Sequence, residues 1–434
     1  MKFSLFKQKD FALLMLGKLV SLIGSEMQSF ALSLYVLQIT GSAAQFAGVL
    51  SVAIIPRILL GPFVGVFVDW LDRKKIIVFL DMFNGILIGI YAVMFFINGE
   101  ISITSIYVLT LILSFVSIIF QPAISTVVPT IVKKDDLVNA NSMNMLILNI
   151  GALFSPAIAG ALYGFWGMQI ILIVNAVSFI FSSISEMFIR IPKVNAKPEK
   201  MNVASFKHDL VDGLKFIKNN KLILAVTINE CASNFAYAPI GSLGLVFIAK
   251  QILQVSDSQY GIMQTIIGLT MIVGPFVITA IRRKYSLGKI IYRVSVLIGI
   301  MTLIVAIIPT NIFINSFSSN VIPAISLTAI MFIIGVILSI GSIAMNTIYH
   351  QEVPIKMMGR VNTAATSFEM AAAPFGQMLF GVLFDVISPW ICFVIAGLIF
   401  IVSAISVRNM LLSNEQGSNS AGKLEVSIDS NSGN

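Results

Sequence analysis

Glu26, Arg57, Glu230 and Glu369 each lie deep inside a long hydrophobic run of this 434-residue chain. Carrying a charge to the centre of a bilayer costs about 2.5–3.5 kcal/mol on insertion scales, and such residues usually mark substrate paths or proton relays. A desolvated carboxyl favours its neutral form and can trade a proton near neutrality. Arginine keeps its proton, so Arg57 needs a carboxylate partner or a wet cavity. Along a helix axis Arg57 lies about 18 Å from Asp69, and Glu369 about 14 Å from Arg360, which puts both near mid-membrane. Glu26 and Glu230 are therefore expected to carry a proton or face a substrate. Arg57 paired with Glu369 or with Glu26 is equally readable as a static ion pair that fixes helix packing. Glu186 and Lys250, near the ends of their runs, are expected to snorkel.

The elements that must position these groups are membrane helices. A mean hydropathy of +0.94, with 57% hydrophobic and 11% charged residues, leaves too little polar surface for a soluble globule of this length. Spans are expected near 11–37, 45–69, 76–97, 104–132, 140–165, 168–190, 222–249, 258–281, 287–309, 322–350, 361–386 and 389–411, each long enough for a hydrocarbon core. Of the 28 Lys and Arg, 25 fall on alternate connections between them. That asymmetry is the positive-inside pattern and places both termini in the cytoplasm. The net charge of +8 is thus a topology signal, and no nucleic-acid partner is expected.

The expected fold class is an all-α membrane protein of twelve helices in two parallel six-helix bundles. The first bundle covers 1–190, a cytoplasmic linker 191–221, the second bundle 222–412, and a disordered polar tail 413–434. The linker carries Pro192, Pro198 and an amphipathic stretch around Phe206–Ile217. Gly61-Pro62-Phe63-Val64 recurs as Gly274-Pro275-Phe276-Val277, and Gly48 and Gly261 keep the same offset, which supports a parallel repeat. A second register aligns Asn141 with Asn362 and Gly160 with Gly381. No cleavable signal is visible. Cys231, Cys392, His208 and His350 lack metal-ligand spacing, so no disulfide, metal or cofactor is expected.

Three motifs carry a family resemblance. The stretch Gly65 to Lys75, with Asp69, Asp72, Arg73 and Lys74, followed by Asp81, resembles the loop signature of the major facilitator superfamily in its macrolide-efflux (Mef-type) and drug:proton antiporter branch. Gly151, Ser155-Pro156 and Ala159-Gly160 resemble the antiporter motif of that branch. Gln351-Glu352, Pro354, Gly359-Arg360, Pro374, Gly381 and Asp385 are similar to its helix 10–11 region. Trp70 stands where Arg is usual, Asp72 where many members have Gly, and Leu113 at about the register of an arginine common in drug:proton antiporters.

The resemblance implies two bundles rocking about a central cavity lined by helices 1, 4, 7 and 10. On that reading Gln121, Asn229, Asn234 and Tyr237 join the acids as cavity candidates, with Phe30, Tyr35, Phe120, Asn346 and Tyr349 beside them. Asp69 and Asp72 are candidates to dock on a helix N-terminus and close a cytoplasmic gate. The resemblance implies proton-driven export of hydrophobic or amphipathic small molecules, the partners being substrate, protons and the lipid bilayer, with the chain a monomer and no enzyme. Export of a natural metabolite, or a membrane sensor without transport, stays open. A membrane-embedded enzyme would need a catalytic constellation, and ATP drive a Gly-x4-Gly-Lys-Ser/Thr loop; neither occurs in the chain.

Overall fold

Turn and cap chemistry sets the helix boundaries. The computed structural model describes residues 3–69, 72–133, 136–191, 203–282, 284–354 and 357–412. The tail and the linker prolines expected from the sequence lie outside these. In order come α1 (Lys9–Thr40), α2 (Ala43–Asp69), α3 (Arg73–Asn98), α4 (Ile103–Ile131), α5 (Leu137–Met187) and α6 (Val203–Asn219). Next are α7 (Lys221–Ile252) and α8 (Asp257–Ile281). The last four are α9 (Leu287–Val305), α10 (Val321–Glu352), α11 (Met358–Val386) and α12 (Pro389–Leu412). The described residues contain no strand, and nine of their helices are long and apolar enough to cross a membrane.

The stops and starts have local causes. Gly41 (φ 61°) and Gly99 (φ 74°) end α1 and α3 in the left-handed conformation, which glycine adopts without a Cβ penalty. Asn220 opens α7 by accepting from the backbone N–H groups of Leu222 and Ile223 at 3.0 and 3.1 Å. Ser102 opens α4 by accepting from Ser105 N–H at 3.2 Å. The helix α5 is continuous for 51 residues except at Gly167 (φ 70°, ψ −164°). That break falls where two separate spans are expected from the sequence.

Between Ser233 and Ile252, α7 widens into three π-helical turns, Ser233–Tyr237, Ile240–Gly244 and Ile248–Ile252. Pro239 has no N–H, so the Phe235 carbonyl loses its i+4 donor. Gly376 of α11 lies against that carbonyl, where a Cβ would collide with it. π-turns of this kind often mark functional segments.

The chain packs as two compact units. The first comprises 1–201 and 246–268, the second 202–245 and 269–434. The chain therefore passes between units inside α7 and inside α8. In the first unit, Phe11, Leu14 and Met15 of α1, Ile77 of α3, Ile124 and Val127 of α4 and Met143 of α5 form one buried apolar cluster. In the second, α9 packs against α10 and α12, and Gly299 and Gly397 let α9 and α12 approach backbone to backbone.

Glycine also sets a crossing within the first unit. A Cβ built on Gly160 of α5 would lie 2.8 Å from the Cα of Gly261 in α8; one built on Gly261 would lie 2.8 Å from the Pro156 carbonyl oxygen. Small residues allow such contact where lipid supplies no hydrophobic drive between helices. Gly89, by contrast, would place its Cβ at an ordinary 4.0 Å from Ala176. Gly160→Val is thus expected to destabilise the protein by about 1–3 kcal/mol through overpacking, read as a lower unfolding temperature in detergent. Gly89→Ala should be close to neutral. Equal melting of wild type and Gly160→Val would show that the two helices do not meet there.

Candidate functional site

Thr227, Glu230, Cys231 and Asn234 follow one another at i, i+3, i+4 and i+7 on α7, so they share one face of the helix. In the second unit that face meets Tyr349 of α10 and Glu369 of α11. The Tyr349 hydroxyl lies 2.8 Å from Thr227 Oγ1, where either group can donate. It also lies 3.3 Å from Glu369 Oε1, to which it donates. Glu230 and Glu369 are within electrostatic reach of one another, and Cys231 is within reach of both. Both glutamates are half-buried.

The remaining cavity candidates separate by what they touch. Asn229 is buried; its Oδ1 accepts from Ser295 of α9 at 2.7 Å, and its Nδ2 lies 3.8 Å from the Met345 sulfur. Asn234 Nδ2 donates to the Glu230 carbonyl at 3.1 Å, next to the first π-turn. Tyr237 is half-buried and packs edge-on to Phe400, with centroids 6.5 Å apart. Asn346 is exposed and donates to the Ser342 carbonyl.

In the first unit Glu26, Arg57 and Gln121 are exposed on α1, α2 and α4. Among the described residues, no ion pair joins Arg57 to Glu26. Phe30 stacks on Tyr260 at 5.4 Å.

The two motif regions have distinct physical roles. Asp72 accepts from the backbone N–H groups of Lys74 and Lys75 at 3.1 and 3.3 Å, so it caps the N-terminus of α3. Lys74 Nζ donates to the Met187 carbonyl at the end of α5, at 2.8 Å. Arg73 is half-buried and Asp81 is wholly buried. Gly65 and Asp69 belong to α2, but their surroundings lie outside the described residues. Gly151 makes room for Leu22 of α1, since a Cβ there would come within 2.6 Å of it. With Gly160 and the Pro156 carbonyl on Gly261, this motif forms a close-packed seam along α5.

Two residues depart from what the sequence suggests. Glu186 does not snorkel: it is 0% exposed. Lys250 is tied down as well, its ammonium donating to the Val255 carbonyl at 2.7 Å and pairing with Asp257. The local signal for Lys250 was Asp257, seven residues on; for Glu186 there was none, because its surroundings come from α3.

Nine described helices long and apolar enough to cross a membrane define the class as a helical, multi-pass membrane protein. The profile described as Major Facilitator Superfamily matches residues 14–377, and the chain belongs to that family. It is 24% identical over 390 residues to macrolide efflux protein A of Streptococcus pyogenes, covering 90% of this chain and 93% of that protein. It is 22% identical to the multidrug efflux pump Tap of Mycolicibacterium fortuitum, covering 87% of this chain and 90% of the other. Among solved structures, the nucleoside transporter NupG superposes with a TM-score of 0.69 at 15% identity, over 93% of this chain and 99% of that one.

The cap on α3 gives a direct prediction. Asp72→Ala should cost about 0.5–2 kcal/mol of stability, as loss of an N-cap does, whereas Asp72→Asn keeps an acceptor oxygen and should cost far less. Thermal unfolding of the two variants checks this. Equal losses would show that the carboxylate charge, and not the cap, is what counts.

Proposed function

We propose that this chain is a secondary active exporter of hydrophobic or amphipathic small molecules of the macrolide or multidrug kind. It works by proton antiport with alternating access of two six-helix bundles, residues 1–190 and 222–412. In this reading twelve helices cross the membrane, both termini are cytoplasmic, and the protein acts as a monomer.

The observation that carries the reading is the pair of half-buried acids Glu230 and Glu369 within apolar helices, with the Tyr349 hydroxyl joining Glu369 to Thr227 beside them. A carboxyl in such surroundings is neutral when desolvated and ionises when water or a cationic substrate reaches it. Proton loss on one side of the membrane and proton gain on the other then drives an antiport cycle. Glu26 supplies a further exposed acid on α1, and Arg57 a fixed positive charge on α2. Similarity along most of its length to macrolide and multidrug efflux proteins supports the choice of substrate class.

The test uses everted vesicles loaded with the protein and supplied with a labelled macrolide. Uphill uptake should collapse on addition of an uncoupler. Glu230→Gln and Glu369→Gln should each reduce uphill uptake at least tenfold while leaving downhill exchange measurable. Tyr349→Phe should lower the rate less. Uphill uptake that survives the uncoupler, or both Gln substitutions together, would overturn proton antiport.

A further inference from the structure

A second pair of acids lies away from this cluster, in the first unit. Asp81 of α3 and Glu186 of α5 are each 0% exposed. Among the described residues, neither carboxylate has a hydrogen-bond partner on either oxygen. Helix register brings the two together. The Ser183 hydroxyl donates to the Val78 carbonyl at 2.8 Å, and a Cβ on Gly85 would lie 3.1 Å from the Ala176 carbonyl. These anchors run α3 and the second half of α5 antiparallel, with Asp81 about level with Ile180 and Ser182 half a turn further on. The Glu186 carboxyl lies within electrostatic reach of Asp81, and Ser182 is beside Asp81 without a well-formed hydrogen bond to it.

Two neutral groups lie one turn from the acids along their helices. Asn84, one turn along α3, is 7% exposed and its Oδ1 has no donor; Ser182, one turn before Glu186, is 0% exposed and its Oγ has no partner. Four side chains thus present six buried oxygen atoms that nothing in the described protein satisfies. Burying carboxylates without compensation is prohibitive.

The neighbouring charges are engaged elsewhere. Lys74 of α3 is on the Met187 carbonyl, Lys18 of α1 donates to Asn144 at 2.8 Å, and Asp10 of α1 accepts from the Arg190 backbone N–H. Arg73 and Lys75 sit at the opening of α3, about 9–12 Å along the axis from Asp81. Ile88 lies one turn beyond Asn84 on α3, and a Cβ on Gly17 of α1 would lie 3.1 Å from Ser182 Oγ; both residues are buried.

We propose that Asp81, Asn84, Ser182 and Glu186 form a binding site for one hard divalent cation of the calcium kind. Two carboxylates and a divalent ion sum to zero charge, which a site sealed from water requires. An all-oxygen set of carboxylates, an amide carbonyl and a hydroxyl suits such an ion, which takes about 6–8 oxygen ligands. The ion would tie α3 to α5, and the inference holds whether or not the chain exports by proton antiport.

The test is equilibrium dialysis of the purified full-length protein in detergent with radioactive Ca2+, repeated with Mn2+ and with Na+ as comparator, alongside thermal unfolding with and without chelator. Saturable uptake of Ca2+ or Mn2+ in a one-to-one ratio is expected, together with a higher unfolding temperature when the ion is present. Asp81→Asn and Glu186→Gln should each abolish uptake, and Ser182→Ala should weaken it at least tenfold. Ser33→Ala, which removes a hydroxyl that donates to the Ser29 carbonyl within α1 and leaves the four ligands and their anchors intact, should bind as wild type does. The double variant Asp81→Asn with Glu186→Gln should fold and melt at the same temperature with and without chelator. Absence of uptake by folded wild type, or uptake that survives Asp81→Asn, overturns the site. Stabilisation by acidification alone, with no divalent effect, also overturns it and assigns the pair to bound protons.

Discussion

Every polar group in the hydrocarbon needs a partner, and that constraint shapes both units. Backbone groups meet it by forming long helices, and where Pro239 removes a donor, α7 widens into π-turns with Gly376 close by. Hydroxyls meet it locally: Ser25, Ser51, Thr302 and Thr328 each donate to the carbonyl four residues back. Amides bridge helices, as when Asn175 of α5 donates to Gln28 of α1 at 2.7 Å. Carboxyls are hardest to satisfy, because an acid has no donor unless it is protonated. The sites of interest are those where the constraint is met only in part.

Two carboxyl pairs among the described residues stand out, and they differ in access. Glu230 and Glu369 are half-buried, with Tyr349 joining Glu369 to Thr227, and it is to this pair that the proposed proton exchange is assigned. Asp81 and Glu186 are sealed and suit a resident ion. Helix packing explains the difference. The face of α7 that carries Glu230 lies in the segment leading into π-turns, whereas α3 and α5 pack closely enough that Gly85 has no room for a side chain.

Much of the architecture was legible in the sequence because membrane helices announce themselves by length and apolarity. The expected spans match α3, α4, α10, α11 and α12 to within a few residues. Gly160 and Gly261, noted separately as a motif glycine and a repeat landmark, meet at one crossing. What stayed hidden depends on neighbours from distant elements. Glu186 looked like a span-end acid, yet α3 buries it. Asn229, next to Glu230, turns inward to Ser295, because adjacent residues on a helix point about 100° apart. The sequence offers Asp72, with Asp69, as a group to dock on a helix N-terminus; the helix that Asp72 caps is the one it opens, α3, which depends on local backbone angles.

The central claim is that Glu230 and Glu369 exchange a proton against substrate, and the most direct measurement is proton release on substrate binding. The purified protein in weakly buffered detergent near neutral pH would be titrated with a macrolide while a pH indicator is followed. Release of protons that saturates with binding, and that disappears in Glu230→Gln and Glu369→Gln, is the predicted result. Binding of the macrolide without proton release, or the same release from both variants, would contradict the account.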